Sequence, residues 1–206
     1  MANTKIDLES LIKKQNAENI APIIRAIYGS ESSNNTDDTS KPNSSGARGP
    51  MQVTKIAFRD MQQRGYIPKN YNWGNPLHNT EAGIAYTKYY RDKYNSLDPR
   101  LISAGYYSGP QAINKDGTIN ADRKDLKNPN YPTVGTYADK ILNSVKQSDP
   151  AYNNPYYNVK MQATPPSQYL PDPFAPPDPK IAKQIMAADP YTLPDNYREG
   201  GRVKLI

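Results

Sequence analysis

Glu31 is the side chain in this sequence best placed to hand over a proton. Ile20, Ile23, Ile24 and Ile27 recur at steps of three and four, the spacing of one helix face. Pro22 stands near the start of that pattern, where its missing N–H costs little. The pattern predicts a helix from about Asn19 to Gly29, with Glu31-Ser32 directly after it. A carboxyl at the rim of a core is half withdrawn from water, which raises its pKa and keeps a proton available near neutral pH. The blander reading is a solvated glutamate in a Ser/Asn loop. A second stretch, Ser45-Gly46-Ala47-Arg48-Gly49-Pro50-Met51-Gln52-Val53, sets two glycines around a small residue, after which Met51-Gln52 is expected to open a new helix. The chain has no cysteine and one histidine, His78. Disulfides and thiolate metal sites are therefore excluded, and His78 reads as a loop or cap residue. No metal and no cofactor is expected.

The elements that must position these residues are helical. A short helix is expected within residues 5–16, with Ile6, Leu8, Leu11 and Ile12 apolar, and residues 32–46 read as a loop containing Asp37 and Asp38. A third helix is expected from Gln52 to about Arg64, with Val53, Ile56, Ala57 and Met61 on its inner side and Gly65 as a stop. Residues 66–78 form an aromatic connector holding Tyr66, Tyr71 and the one tryptophan, Trp73, which either stacks on a sugar or plugs the core. Residues 79–95 give the clearest helix, with Ala82, Ala85, Tyr86, Tyr89 and Tyr90 on one broad face. Asp98-Pro99 predicts a cap and first turn for a helix over 99–107, and a last helix is expected over 134–146.

Glu31-Ser32, then Ser45-Gly46-Ala47-x-Gly49-x-Met51-Gln52, then Gly105-Tyr106-Tyr107-Ser108-Gly109-Pro110, then Tyr137, resembles the soluble lytic transglycosylase family in order and spacing over roughly residues 18–147. The resemblance implies a mainly α, lysozyme-like domain that cleaves peptidoglycan glycan strands. Glu31 takes the role of the family's single glutamate, first general acid and then general base toward the sugar's own C6 hydroxyl, leaving a 1,6-anhydromuramyl end. Ser45 and the Gly46–Gly49 loop would lie by the bound sugar, with Met51 and Gln52 in the cleft floor. Tyr106 and Tyr107 fall in the family's Tyr-Asn-Ala-Gly turn as substrate contacts, and Tyr137 corresponds to the late tyrosine that orients the acid. Two departures stand out. Tyr107 and Ser108 replace the family's Asn and Ala, and Thr133-Val134 stands where the family has Glu-Thr.

The chain divides by composition into an N-terminal arm (1–17), the lysozyme-like domain (18–149) and a tail (150–206). Eleven of the 20 prolines lie in the tail, which reads as an extended Pro/Tyr-rich strap with one short helix at Pro179–Ala188. Net charge is +6, and the excess lies before residue 150. A basic surface suits an anionic polymer such as cell-wall glycan with its acidic peptides, whereas nucleic acid has no motif behind it. The start, Met1-Ala2-Asn3-Thr4-Lys5, is polar, and no run is long enough to span a membrane. These features suggest a phage particle as carrier, with residues 150–206 docking onto tail or portal-proximal proteins, in multiple copies. Two alternatives stay open: a virion structural or adaptor protein using the fold as scaffold, and a goose-type-like hydrolytic lysozyme in which Asp37 or Asp38 positions a water.

Overall fold

A computed structural model describes residues 6–32, 42–124 and 130–153. Asp37, Asp38, the helix expected at Pro179–Ala188 and the tail beyond Asn153 lie outside the described residues. Contacts divide the chain after Tyr169, and the second unit, Leu170–Ile206, also lies outside them.

The first unit is mainly α. Its helices are α1 (Leu8–Lys14), α2 (Ala21–Ser32), α3 (Lys55–Gln63), α4 (Pro76–Tyr94), α5 (Pro99–Ser108) and α6 (Val134–Ser148), with a two-stranded hairpin, β1 (Ala47–Arg48) and β2 (Val53–Thr54), before α3. Side-chain caps set most of the starts. Asp7 accepts from Ser10 N–H, Thr54 from Ala57 N–H, Asn75 from Leu77 and His78 N–H, Asp98 from Arg100 N–H and Thr133 from Thr136 N–H. Pro76 and Pro99 fill first-turn positions, where no N–H is needed.

α4 is the central helix. Ala82, Ile84, Ala85, Tyr89 and Tyr90 are all buried on it, and α1, α3 and α5 pack around it. Gly105 of α5 lets that helix close onto Tyr90, because any Cβ there would strike the ring. α6 packs on α5 and α2. The buried carboxylate of this core is satisfied, whereas the buried Asn79 amide oxygen has no hydrogen-bond partner among the described residues. Glu81, 1% exposed, pairs with Lys14 at 2.9 Å and accepts from the Tyr71 hydroxyl at 3.0 Å. His78, in the first turn of α4 and not in the connector, stacks on Tyr71 with centroids 3.9 Å apart, and its Nδ1 accepts from Asn72 N–H at 3.0 Å, which ties the preceding loop to the helix.

Several boundaries differ from the sequence expectation. α2 runs through Gly29 to Ser32, so Glu31 lies in its last turn rather than beyond it; packing against α6 outweighs the intrinsic cost of a helical glycine. Met51-Gln52 does not open α3. Gln52 has φ +48°, which no α-helix holds, and the helix waits for the Thr54 cap. That shift rotates the helix, leaving Ile56 80% exposed and turning Phe58 inward beside Met61. α1 is not a separate arm, since Leu11 and Ile12 join the main core. Tyr152, in the short 3-10 turn Pro150–Asn153, is also buried in it.

Phe58→Ala should cost about 3–5 kcal/mol in chemical unfolding, whereas Ile56→Ala should stay within about 0.5 kcal/mol of the parent. Equal losses would contradict this register of α3.

Candidate active site

α2 ends its helix with Glu31 against α6, and α6 answers with Tyr137. The Tyr137 hydroxyl donates to Glu31 Oε1 at 2.5 Å. That bond leaves Oε2 to carry a transferable proton. Burial lifts the Glu31 carboxyl above the usual glutamate range, against the smaller opposing pulls of the Tyr137 hydrogen bond and the Lys140 charge. Lys140 is exposed, one helical turn after Tyr137 on α6. Among the described residues no second carboxylate contributes to the field at Glu31. Burial also pushes the Tyr106 and Tyr137 phenols well above their usual range, with the Glu31 charge adding to it, so both stay neutral donors.

α6 is held in place from its N-terminal end. Val134 N–H donates to Arg123 O at 2.9 Å and Gly135 N–H to Ala121 O at 2.8 Å. Arg123 in turn reaches Ser108 Oγ at 3.0 Å and Gln111 Oε1 at 2.6 Å, tying the loop before α6 to the end of α5. Tyr107 stacks on Tyr137 with centroids 4.3 Å apart, and its hydroxyl donates to Pro132 O at 2.8 Å. The structure therefore gives Tyr107 a supporting contact with the tyrosine that holds the acid.

The hairpin supplies a second wall. Tyr106 Oη donates to Met51 O at 2.5 Å, joining α5 to the Gly49–Gln52 turn. Met51 is fully buried, so its side chain belongs to the core and not to a cleft floor. It packs where Gly83 of α4 leaves room; a Cβ on Gly83 would sit 2.6 Å from Met51 Sδ. The reverse fit occurs one contact away. Gly49 has φ +78°, and a Cβ on it would collide with the buried Asn79 amide. Glycine is required there both for the backbone and for the space. Gln52 is half-buried, and its amide works inside the turn: Nε2 donates to Gly49 O at 2.9 Å and Oε1 accepts from Asn43 Nδ2 at 2.7 Å. Asn43 Oδ1 also receives Ser45 and Ala47 N–H at 2.9 and 3.0 Å, which places Ser45 at the hairpin's entrance. Trp73 backs the hairpin through its N–H to Val53 O at 2.8 Å.

The structure thus links Glu31, Tyr137, Tyr107, Tyr106, Met51 and Gln52 through successive contacts, with Ser45 joined through Asn43. Among the described residues no group of three His, Asp or Glu could hold a metal, and no helix is long and apolar enough to cross a membrane.

Residues 9–129, more than half of the chain, match the transglycosylase SLT domain. The chain belongs to the transglycosylase SLT family. That membership carries the family's lysozyme-like helical fold and, in general terms, peptidoglycan lytic transglycosylase chemistry. No curated protein and no solved structure matches.

Four residues around this candidate site carried no weight in the sequence analysis: Asn43, Asn79, Gly83 and Lys140. Gly83 carried a signal, because a glycine inside a strong helical pattern costs about 1 kcal/mol and marks a close approach. Asn79 and Asn43 carried none, since an asparagine near a helix start or in a loop reads as a cap or a turn.

A carboxyl whose folded-state pKa is raised binds more protons folded than unfolded, so stability falls as pH rises from the unfolded pKa, about 4.3, through the folded one. Glu31→Gln should therefore unfold at a higher temperature than the parent at neutral pH, and the gain should vanish below about pH 4. A gain that is equal at both pH values, or a loss at neutral pH, would contradict a desolvated carboxyl.

Proposed function

We propose that this chain cleaves the β-1,4 bond between N-acetylmuramic acid and N-acetylglucosamine with Glu31 as its single acid and base. The observation that carries the reading is the half-buried Glu31 carboxyl, raised in pKa and fixed on one oxygen by Tyr137. Glu31 protonates the glycosidic oxygen as the C1–O bond breaks and an oxocarbenium-like centre forms. The C6 hydroxyl of the same sugar then attacks C1, and its proton passes to the Glu31 carboxylate. No water is consumed, and the acid is regenerated. Tyr137 keeps the carboxyl oriented through both transfers. Lys140 favours the carboxylate that exists between them. The Gly49–Gln52 turn and Ser45 border the glycan, with exposed parts of the Gln52 amide and the turn's backbone as its polar contacts.

The match of Glu31-Ser32 and Tyr137 to a family that works with a single glutamate supports this cyclising route over hydrolysis. We also propose that the enzyme travels in a phage particle and opens the wall during genome delivery, docked through residues 150–206 onto tail or portal-proximal proteins. The support for this part is compositional: 11 of 20 prolines and a run of tyrosines that could serve as anchors.

Muropeptide mass spectrometry after digestion of purified peptidoglycan tests the chemistry. The expected products are anhydro ends, one water lighter than reducing ends, with turnover reduced about a thousandfold or more in Glu31→Gln. Reducing ends would overturn the cyclising route, and near-parent activity in the variant would remove Glu31 as the acid. The same assay on purified particles should find the activity in the virion; activity confined to the soluble lysate would remove the virion role.

A further inference from the structure

β1 ends on Arg48, whose guanidinium meets no carboxylate among the described residues. The guanidinium carbon of Arg48 lies 4.7 Å from the centroid of the Trp73 ring, and Lys55 Nζ lies 5.9 Å from the same ring. Trp73 cannot drift, because its N–H is bonded to Val53 O, directly across the hairpin from Arg48. Arg48 Nε is buried and has no hydrogen-bond partner. Among the described residues neither Arg48 nor Lys55 forms an ion pair with a carboxylate. Gly74 passes beside the guanidinium without a side chain to screen it; a Cβ there would sit 3.4 Å from Nη2.

These observations belong together physically. A guanidinium stacked on an aromatic face keeps its N–H edge free for a planar, bidentate acceptor. The stacking offsets part of the cost of removing the cation from water, but a buried donor with no acceptor remains unfavourable. An arrangement of two cations around one ring, with no acid supplied by the described residues, is complementary to an added anion. Arg48 directly precedes Gly49, so an anion held there lies beside the turn that carries Gln52.

We propose that Arg48, backed by Trp73 and flanked by Lys55, is a carboxylate subsite for the acidic stem peptide carried by the muramyl residues of the glycan strand. This inference rests on the peptidoglycan reading above. It adds a peptide-recognition function to a turn otherwise assigned to sugar. The stem peptide leaves the glycan sideways, so its carboxylate can be held next to the sugar-binding turn without occupying it.

Trp73 is the chain's one tryptophan, so its emission reports this site alone. The full chain is titrated with free stem tetrapeptide, with chitotetraose as the peptide-free glycan, and with inorganic phosphate. The tetrapeptide should change Trp73 emission saturably. Arg48→Gln should weaken that binding about tenfold or more, and Lys55→Gln should weaken it less. In turnover, Arg48→Gln should lower kcat/KM about tenfold more on peptide-bearing strands than on peptide-free strands. Lys55 is exposed at the start of α3, so Lys55→Gln keeps the test open if Arg48→Gln does not fold. No saturable change with tetrapeptide, an equal loss on both strand types, or saturation by phosphate and not by peptide would overturn the proposal. Activity retained in Glu31→Gln would instead strike the proposed chemistry and leave the peptide-binding result standing.

Discussion

The structure depends on keeping one carboxyl partly dry while holding it still. Burial raises the pKa of Glu31, and the Tyr137 hydroxyl and Lys140 charge pull it part of the way back. The first effect keeps the proton bound to a higher pH than a solvated glutamate would; the other two keep the anion tolerable after the proton has gone. Neither would serve alone. A deeply buried carboxyl with no donor would hold its proton, and a solvated one would already have lost it. The balance requires α2 to reach Ser32 and α6 to present Tyr137 at that helix's end. Such an arrangement accounts for the attention the fold gives to the start of α6: two backbone hydrogen bonds from the segment before it, the Thr133 cap, and Arg123 bracing that segment on α5.

The hairpin obeys a different constraint. Its turn carries Gln52 at φ +48°, a costly conformation for a side-chain-bearing residue. It is sustained by complementary contacts with α4, where Gly83 admits Met51 and Gly49 admits Asn79. Tyr106 then fastens the same turn to α5. The turn before α3 is thus fastened to α5 and α4, and the acid on α2 is held by α6, which itself packs on α5. Relative placement within tenths of an ångström matters for proton transfer, and rigid helices set it better than loops do.

Much of this was legible in the chain. The 3.6-residue pattern of α4 and the Asp98-Pro99 start of α5 needed no tertiary knowledge, because their caps and apolar faces agree. The order of Glu31, the Gly-Ala-x-Gly-x-Met-Gln stretch and Tyr137 was enough to bring the acid and its tyrosine partner forward. What the chain concealed was tertiary. Gly29 looked like a stop but lies inside α2, where packing decides. Met51 read as a cleft residue but is core, because its environment is made by Gly83, 32 positions later. Ile56 and Phe58 exchanged roles because the Thr54 cap, and not Gln52, begins α3. Tyr107, in place of an amide, became a stacking support for Tyr137, a role set by a helix that the local sequence does not reveal.

The central claim can be measured on the acid itself. Carbon-13 NMR of the full chain labelled at glutamate side chains, assigned through Glu31→Gln, gives the titration of that carboxyl. The account predicts a midpoint above the ordinary glutamate value of about 4.3, rising further in Tyr137→Phe. A midpoint at or below that value, or one that does not respond to loss of the Tyr137 hydroxyl, would contradict it.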